Sequence, residues 1–318
     1  MKNNCQLFIG CVSINTIDAA IEYSNENNVY LGLIPSRRQV DAHGGYINFN
    51  NKLLYDYVKN RSNKIILQRD HGGPNQGTIK DDGVISLLDD CKYYDILHID
   101  PWIKYTNFQD GLECTKQLIQ SCMDSEYNGT FEIGTEESIF SFELHEMDTL
   151  IQSCKKYNIE YVVIQSGTSL SENKNTGTYD KNKLINFLNL VKKYNLKTKE
   201  HNGDYINSDI IREKFNLGLD GINIAPEFGF IETCCYLEAL SKDSQKINIF
   251  YDLCYESGRW KKWVNSQFNI EDKLSLIKIC GHYLLDNEIF KTEIKYKIPD
   301  ISVNIKSKIK DRIHGIIL

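Results

Sequence analysis

Eight short β-rich runs, each followed by an amphipathic segment, constrain this chain more than any other feature. The runs are "LFIGCVS", "VYLGLIPS", "KIILQRD", "DILHID", "GTFEIGTE", "YVVIQSG", "LKTKEH" and "GINIAP". The segments between them, such as "NKLLYDYVKN" and "KLINFLNLVKKYN", carry apolar residues at helical spacing, as at Leu184, Phe187, Leu188 and Val191. Eight strand–helix alternations predict a closed (β/α)8 TIM barrel. An open doubly wound sheet usually places a glycine-rich fingerprint after its first strand, and "CVSINTIDAA" contains none. The barrel is expected over residues 1–240. Residues 241–318 read as a helical extension packed on it, because no Pro/Gly/Ser linker separates the two. The final "IKSKIKDRIHGIIL" predicts a helix with a basic face and an apolar stripe.

Composition narrows the function. With 41% apolar residues in 318, a large core is available. Lys and Arg total 37 against 43 Asp and Glu, a net charge of −6, which disfavours a nucleic-acid partner but leaves room for a local basic pocket. No apolar run approaches a membrane span. The ten cysteines are scattered without a Cys-x-x-Cys pair, and no secretion-type segment is read at the start. Reduced thiols in a cytoplasmic protein are therefore expected.

Chemistry collects at one end of the predicted strands. The C-terminal ends read "SRRQVDAHGGY", "QRDHGGPNQG", "HIDPW", "EIGTEES", "QSGTS", "KEHNGDY" and "NIAPEFG", whereas the opposite ends, such as "KYNIEY", are ordinary solvated turns. In barrel enzymes the active site lies at the C-terminal ends. Gly44 and Gly45 permit positive φ and an anion nest for a phosphate, with Arg37 and Arg38 close enough in sequence to add charge. His98 precedes Asp100 by two, so both point to one face, and His98 reads as a packing residue one layer deeper. Lys197 and Lys199 lack the apolar setting that a Schiff-base amine requires.

The motifs "QVDAHGGY", "DHGGPN", "LHID", "EIGTEES" and "EHNGDY", followed by a proline-containing eighth strand, occur in an order that resembles the tagatose-bisphosphate aldolase accessory-subunit family, related to the class II metal-dependent aldolases. The resemblance covers about residues 6–240. It implies a metal site and a phosphorylated ketose as substrate. It also implies that Asp70 is a proton donor beside the metal ligand His71, that His201 is a second ligand, and that Asn202 and Gly203 help hold phosphate. Related enzymes place a third histidine after strand 6, where this chain has Gly167-Thr168-Ser169-Leu170. Glu132, similar to the strand-5 acid of the metal aldolases, is then expected as the third ligand of a two-histidine, one-carboxylate site suited to zinc, or to manganese, cobalt or iron. Glu136 and Asp100 are assigned to the catalytic group. The reading is a metal-dependent carbon–carbon lyase. Its alternatives are a non-catalytic partner subunit of a separate aldolase, or a sugar-phosphate epimerase. Assembly as a homo-oligomer or with an aldolase subunit is left open.

Overall fold

The structure, a computed structural model, describes residues 5–317. Each of the eight runs forms a strand: β1 Cys5–Ile9, β2 Tyr30–Leu33, β3 Ile65–Gly72, β4 Ile96–Ile99, β5 Thr130–Ile133, β6 Ile159–Ile164, β7 Lys197–Glu200 and β8 Gly221–Ile224. All pair in parallel, in the order β1-β8-β7-β6-β5-β4-β3-β2, and β2 pairs with β1, closing the barrel. The helices are α1 Ile14–Asn27, α2 Asn51–Lys59, α3 Val84–Asp90, α4 Phe108–Asp124, α5 Leu144–Cys154, α6 Lys181–Lys192, α7 Ser208–Leu217 and α8 Pro226–Ala239, followed by α9 Ser244–Ser257, α10 Lys273–Cys280, α11 Glu288–Glu293 and α12 Ile301–Ile317. Local chemistry sets several helix starts. Ser13 caps α1 by accepting the Thr16 N–H at 3.1 Å, and Pro226 opens α8, where its missing N–H costs nothing.

The barrel interior is not purely apolar. Phe8 on β1 meets Tyr161 on β6 edge-on at 5.5 Å, a contact that must cross the interior because the two strands are not neighbours. The Lys199 ammonium sits 3.6 Å from the Phe8 ring centroid, pairs with Glu132 and donates to Gln68 Oε1 at 2.5 Å. A buried ionic layer thus underlies the mouth, tolerable because each charge has a partner. The same logic explains β7, whose "KTKE" has low strand propensity. Its Glu200 is buried against Lys214 of α7 at 2.5 Å and against Ser166, so tertiary pairing overrides local preference.

The extension is seated on the barrel. Ile301, Ile305, Ile309, Ile313 and Ile316 form one buried stripe of α12 and belong to the same core as Leu7 and Ile9. Each such side chain contributes roughly 1.5–3 kcal/mol of burial. The basic face of α12 meets α1 through Lys306–Glu22 at 2.5 Å and Lys310–Glu26 at 3.0 Å. After α9 the chain turns at Arg259–Lys262 and reaches the mouth, where the Trp263 carbonyl accepts the Glu172 N–H at 2.9 Å. Among the described residues no helix is long and apolar enough to cross a membrane.

Candidate metal centre at the barrel mouth

Consecutive strand residues point to opposite faces, so Asp70 and His71 should not both reach the interior. A register shift between Arg69 and Gly72 and a positive φ of 50° at His71 resolve this. Arg69 faces the surrounding helices, Asp70 faces the mouth, and the distorted backbone turns the His71 ring back toward it. His98 and Asp100 arrive from β4, Glu132 and Glu136 from β5 and its loop, and His201 from the end of β7.

Three imidazoles converge. One nitrogen from each of His71, His98 and His201 lies within 4.8 Å of the others. The remaining ring nitrogens are held from behind. His71 Nδ1 donates to Asp100 Oδ2 at 2.5 Å, and His201 Nε2 donates to Glu132 Oε1 at 2.8 Å. His98 Nε2 donates to the Gly134 carbonyl at 2.9 Å, which leaves its Nδ1 as an acceptor, facing the His71 N–H at 3.2 Å. Backing by carboxylates and carbonyls is the usual support for metal-ligating histidines. Glu136 Oε2 stands between the two free nitrogens, 3.4 Å from His71 Nε2 and 3.3 Å from His201 Nδ1, yet is buried without a hydrogen-bond partner.

The electrostatics call for positive charge. Burial opposes protonation of His71, but Asp70, Glu136 and Asp100 outweigh it and push the pKa well above the usual imidazole range. His201 rises to about 9, against burial, through Glu132 and Glu136. Glu136 falls to about 2 despite burial, because His71 and His201 favour its ionised form. Burial keeps His98 low, and the other two imidazoles add to that. The four carboxylates around the three imidazoles are offset in part by Lys199 on Glu132, and further by two imidazole protons or by one divalent cation taking their place. The donors, the orphaned Glu136 oxygen and the rear hydrogen bonds therefore fit a cation.

No protein-family model and no curated protein matches this sequence. Solved structures do match its fold. A probable tagatose 6-phosphate kinase from Sinorhizobium meliloti aligns with a TM-score of 0.74 at 14% identity, covering 98% of both chains. The YdjI aldolase of Escherichia coli K12 aligns with a TM-score of 0.57 at 9% identity, over 98% of this chain and 91% of its own. The fructose-bisphosphate aldolase of Campylobacter jejuni gives 0.59 at 11%, over 98% and 90%. This chain thus has the barrel that these aldolases share.

The structure sorts the sequence candidates. Asp70, His71, Glu136, Asn202 and Leu170 all line one cavity of about 260 Å³ at the mouth. Asp100 is buried behind His71, fixed by Thr135 Oγ1 at 3.0 Å and the Trp102 N–H at 3.1 Å, so it positions the ring and does not face a substrate. Glu132 lies beneath, between Lys199 and His201, where Lys199 keeps it ionised against the effect of burial. The third imidazole is His98, and the carboxylate at the free nitrogens is Glu136. Gly203 spends its N–H on the Asn223 carbonyl at 2.9 Å, and a Cβ there would sit 2.4 Å from Ile222 Cδ1, so its demand is packing. Gly44 and Gly45 shape the loop after β2 without lining the cavity; Gly44 (φ 99°) closes a turn onto the Asp41 carbonyl at 3.0 Å. Arg37 is buried and neutralised by Asp41 at 3.1 Å and Asp81 at 2.9 Å, whereas its neighbour Arg38 lines the cavity. Lys197 pairs with Glu160 at the far end of the barrel.

Proposed function

We propose that this chain is a divalent-metal-dependent lyase that forms or cleaves a carbon–carbon bond in a phosphorylated ketose. The observation that carries the reading is the imidazole cluster with an orphaned carboxylate oxygen at the C-terminal mouth of the barrel. His71, His98 and His201 would hold the ion, with Glu136 beside them. Bound there, it would supply a Lewis acid that polarises a carbonyl and offsets charge developing next to it. Asp70 lines the same cavity, 3.7 Å from His71 Nε2, with Asn223 Nδ2 within 3.4 Å of its other oxygen. It is placed to exchange a proton with a substrate hydroxyl as the bond breaks. Asp100 keeps the His71 ring from rotating, and Glu132 does the same for His201.

The test is a cleavage screen over ketose mono- and bisphosphates with metal-loaded chain, with and without chelator. Asp70→Asn should retain metal and lose about 10²–10⁴-fold in turnover. Near-normal turnover in that variant would remove Asp70 from the chemistry. Inactivity of the metal-loaded chain toward every substrate would favour a non-catalytic role beside a separate aldolase.

A further inference from the structure

Three cations meet at the mouth with no carboxylate assigned to them. Arg38 comes from the loop after β2, and Arg259 and Lys262 from the turn that the extension lays over the barrel. Among the described residues, none of their charged groups has an ion-pair or hydrogen-bond partner; Arg259 and Lys262 instead face the Tyr283 ring at 5.4 and 5.5 Å, and Lys262 also the Trp263 ring at 4.0 Å. Arg37, one residue from Arg38, shows what a satisfied guanidinium looks like here, with two aspartates upon it.

The neighbouring polar groups offer donors. Tyr46 OH accepts from Gln39 Nε2 at 3.1 Å and Tyr283 OH accepts from Trp263 Nε1 at 3.3 Å, so each phenol retains its own proton to give. His282 lines the same cavity, is 4% exposed, and its Nδ1 has no hydrogen-bond partner. Burial first, then Arg38 and Arg259, lower the pKa of Lys262, as expected for like charges held together; the more weakly felt Glu136 opposes them, and water reaching the exposed side chain moderates the effect. Unpaired cations, free phenol protons and an orphaned imidazole in one cavity match a dianionic, acceptor-only group.

We infer that Arg38, Lys262, Tyr46, Tyr283 and His282 form an anion subsite for the phosphate monoester of the substrate, in the cavity that Asp70, His71 and Glu136 also line. It replaces the glycine nest expected at Gly44–Gly45, and it gives the extension a binding role. Only the identification of the anion with the substrate's phosphate rests on the proposed lyase activity.

Binding of inorganic phosphate to the metal-free full-length chain, followed by calorimetry, tests the site apart from the metal chemistry. Arg38→Gln and Lys262→Gln should each weaken phosphate by ~10-fold or more, and the double variant should remove measurable binding. Lys261→Gln, at the exposed neighbouring position, should change affinity by less than about twofold. Unfolding midpoints taken alongside should stay level, because neither Arg38 nor Lys262 is paired in the fold. Absence of phosphate binding by the wild-type chain, or equal affinity in the double variant, would overturn the assignment even if lyase activity is found.

Discussion

Two buried polar clusters flank β3, and they spend their hydrogen bonds in opposite ways. On the outer face, Arg69 uses all five donors: Nε and Nη2 to Asp90 at 2.9 and 2.8 Å, Nη2 also to Asn51 at 2.7 Å, and Nη1 to the Pro35 and Val40 carbonyls at 2.8 and 2.9 Å. Nothing there is left to bind. On the inner face, two residues along, His71 joins a cluster in which His71 Nε2, His201 Nδ1 and a Glu136 oxygen remain uncommitted, while His98 Nδ1 accepts the His71 backbone N–H. A satisfied cluster holds the strand and its helices together; an unsatisfied one opening on a cavity marks capacity for a ligand.

The sharpest break of this contrast is Arg69→Met, which leaves Asp90 buried and unpaired. It should cost about 3–5 kcal/mol of stability in urea unfolding. A loss below about 1 kcal/mol would mean that the outer cluster is not the structural one. Asp204 is an intermediate case. It is buried beside Glu227, and its Oδ1 accepts the Ala225 and Glu227 N–H groups, both at 2.9 Å or closer. Burial first, then Glu227, raise its pKa to about 7. A carboxyl raised on folding binds more protons in the native state, so its contribution to stability falls as pH rises from about 4 to about 7 and is level above. Asp204→Asn preserves an oxygen for both N–H groups and should flatten that slope, by roughly 1–3 kcal/mol across the window. An unchanged slope would show that Asp204 ionises normally.

On the inner face the expected effects move from stability to binding. Glu136→Gln should leave the unfolding free energy within ~1 kcal/mol of wild type but weaken a divalent cation by about 10-fold or more in competitive titration. A large loss of stability with unchanged metal affinity would place Glu136 in the structural class with Asp90. The smallest effect is expected at Leu170. If His98 fills the third imidazole position, Leu170→His should shift metal affinity by less than about threefold, and a large gain would show the site to be incomplete without it.

The barrel was legible because its signal is periodic. Each apolar run and each amphipathic segment repeats the same rule, and even the charged "KTKE" follows from the count of eight. The site was legible where chemistry sat at strand ends, as at Asp70, His71, Glu136 and His201. It was less so where one backbone distortion redirects a ring. Alternation put His98 on the same face as Asp100 and suggested only a packing role, because nothing in sequence shows that the bulge at His71 brings a second imidazole within reach of it. Glu132 and Glu136 are four apart, and only the turn at Gly134, with φ of 100°, decides which of them faces the free nitrogens. Arg38 was half visible, because two adjacent arginines look alike until Asp41 and Asp81 take one of them. Lys262, His282 and Tyr283 lie in an extension whose path over the mouth is set by long-range packing, which local periodicity does not encode.

The central claim is that the inner cluster holds a cation. A cobalt(II) titration of the purified full-length chain, read by the visible absorption of the ligated ion, tests it most directly. One ion per chain is predicted, with the signal lost in His71→Ala and His201→Ala and altered in His98→Ala. A chain that binds no cobalt, or one whose spectrum is the same in all three variants, would contradict it.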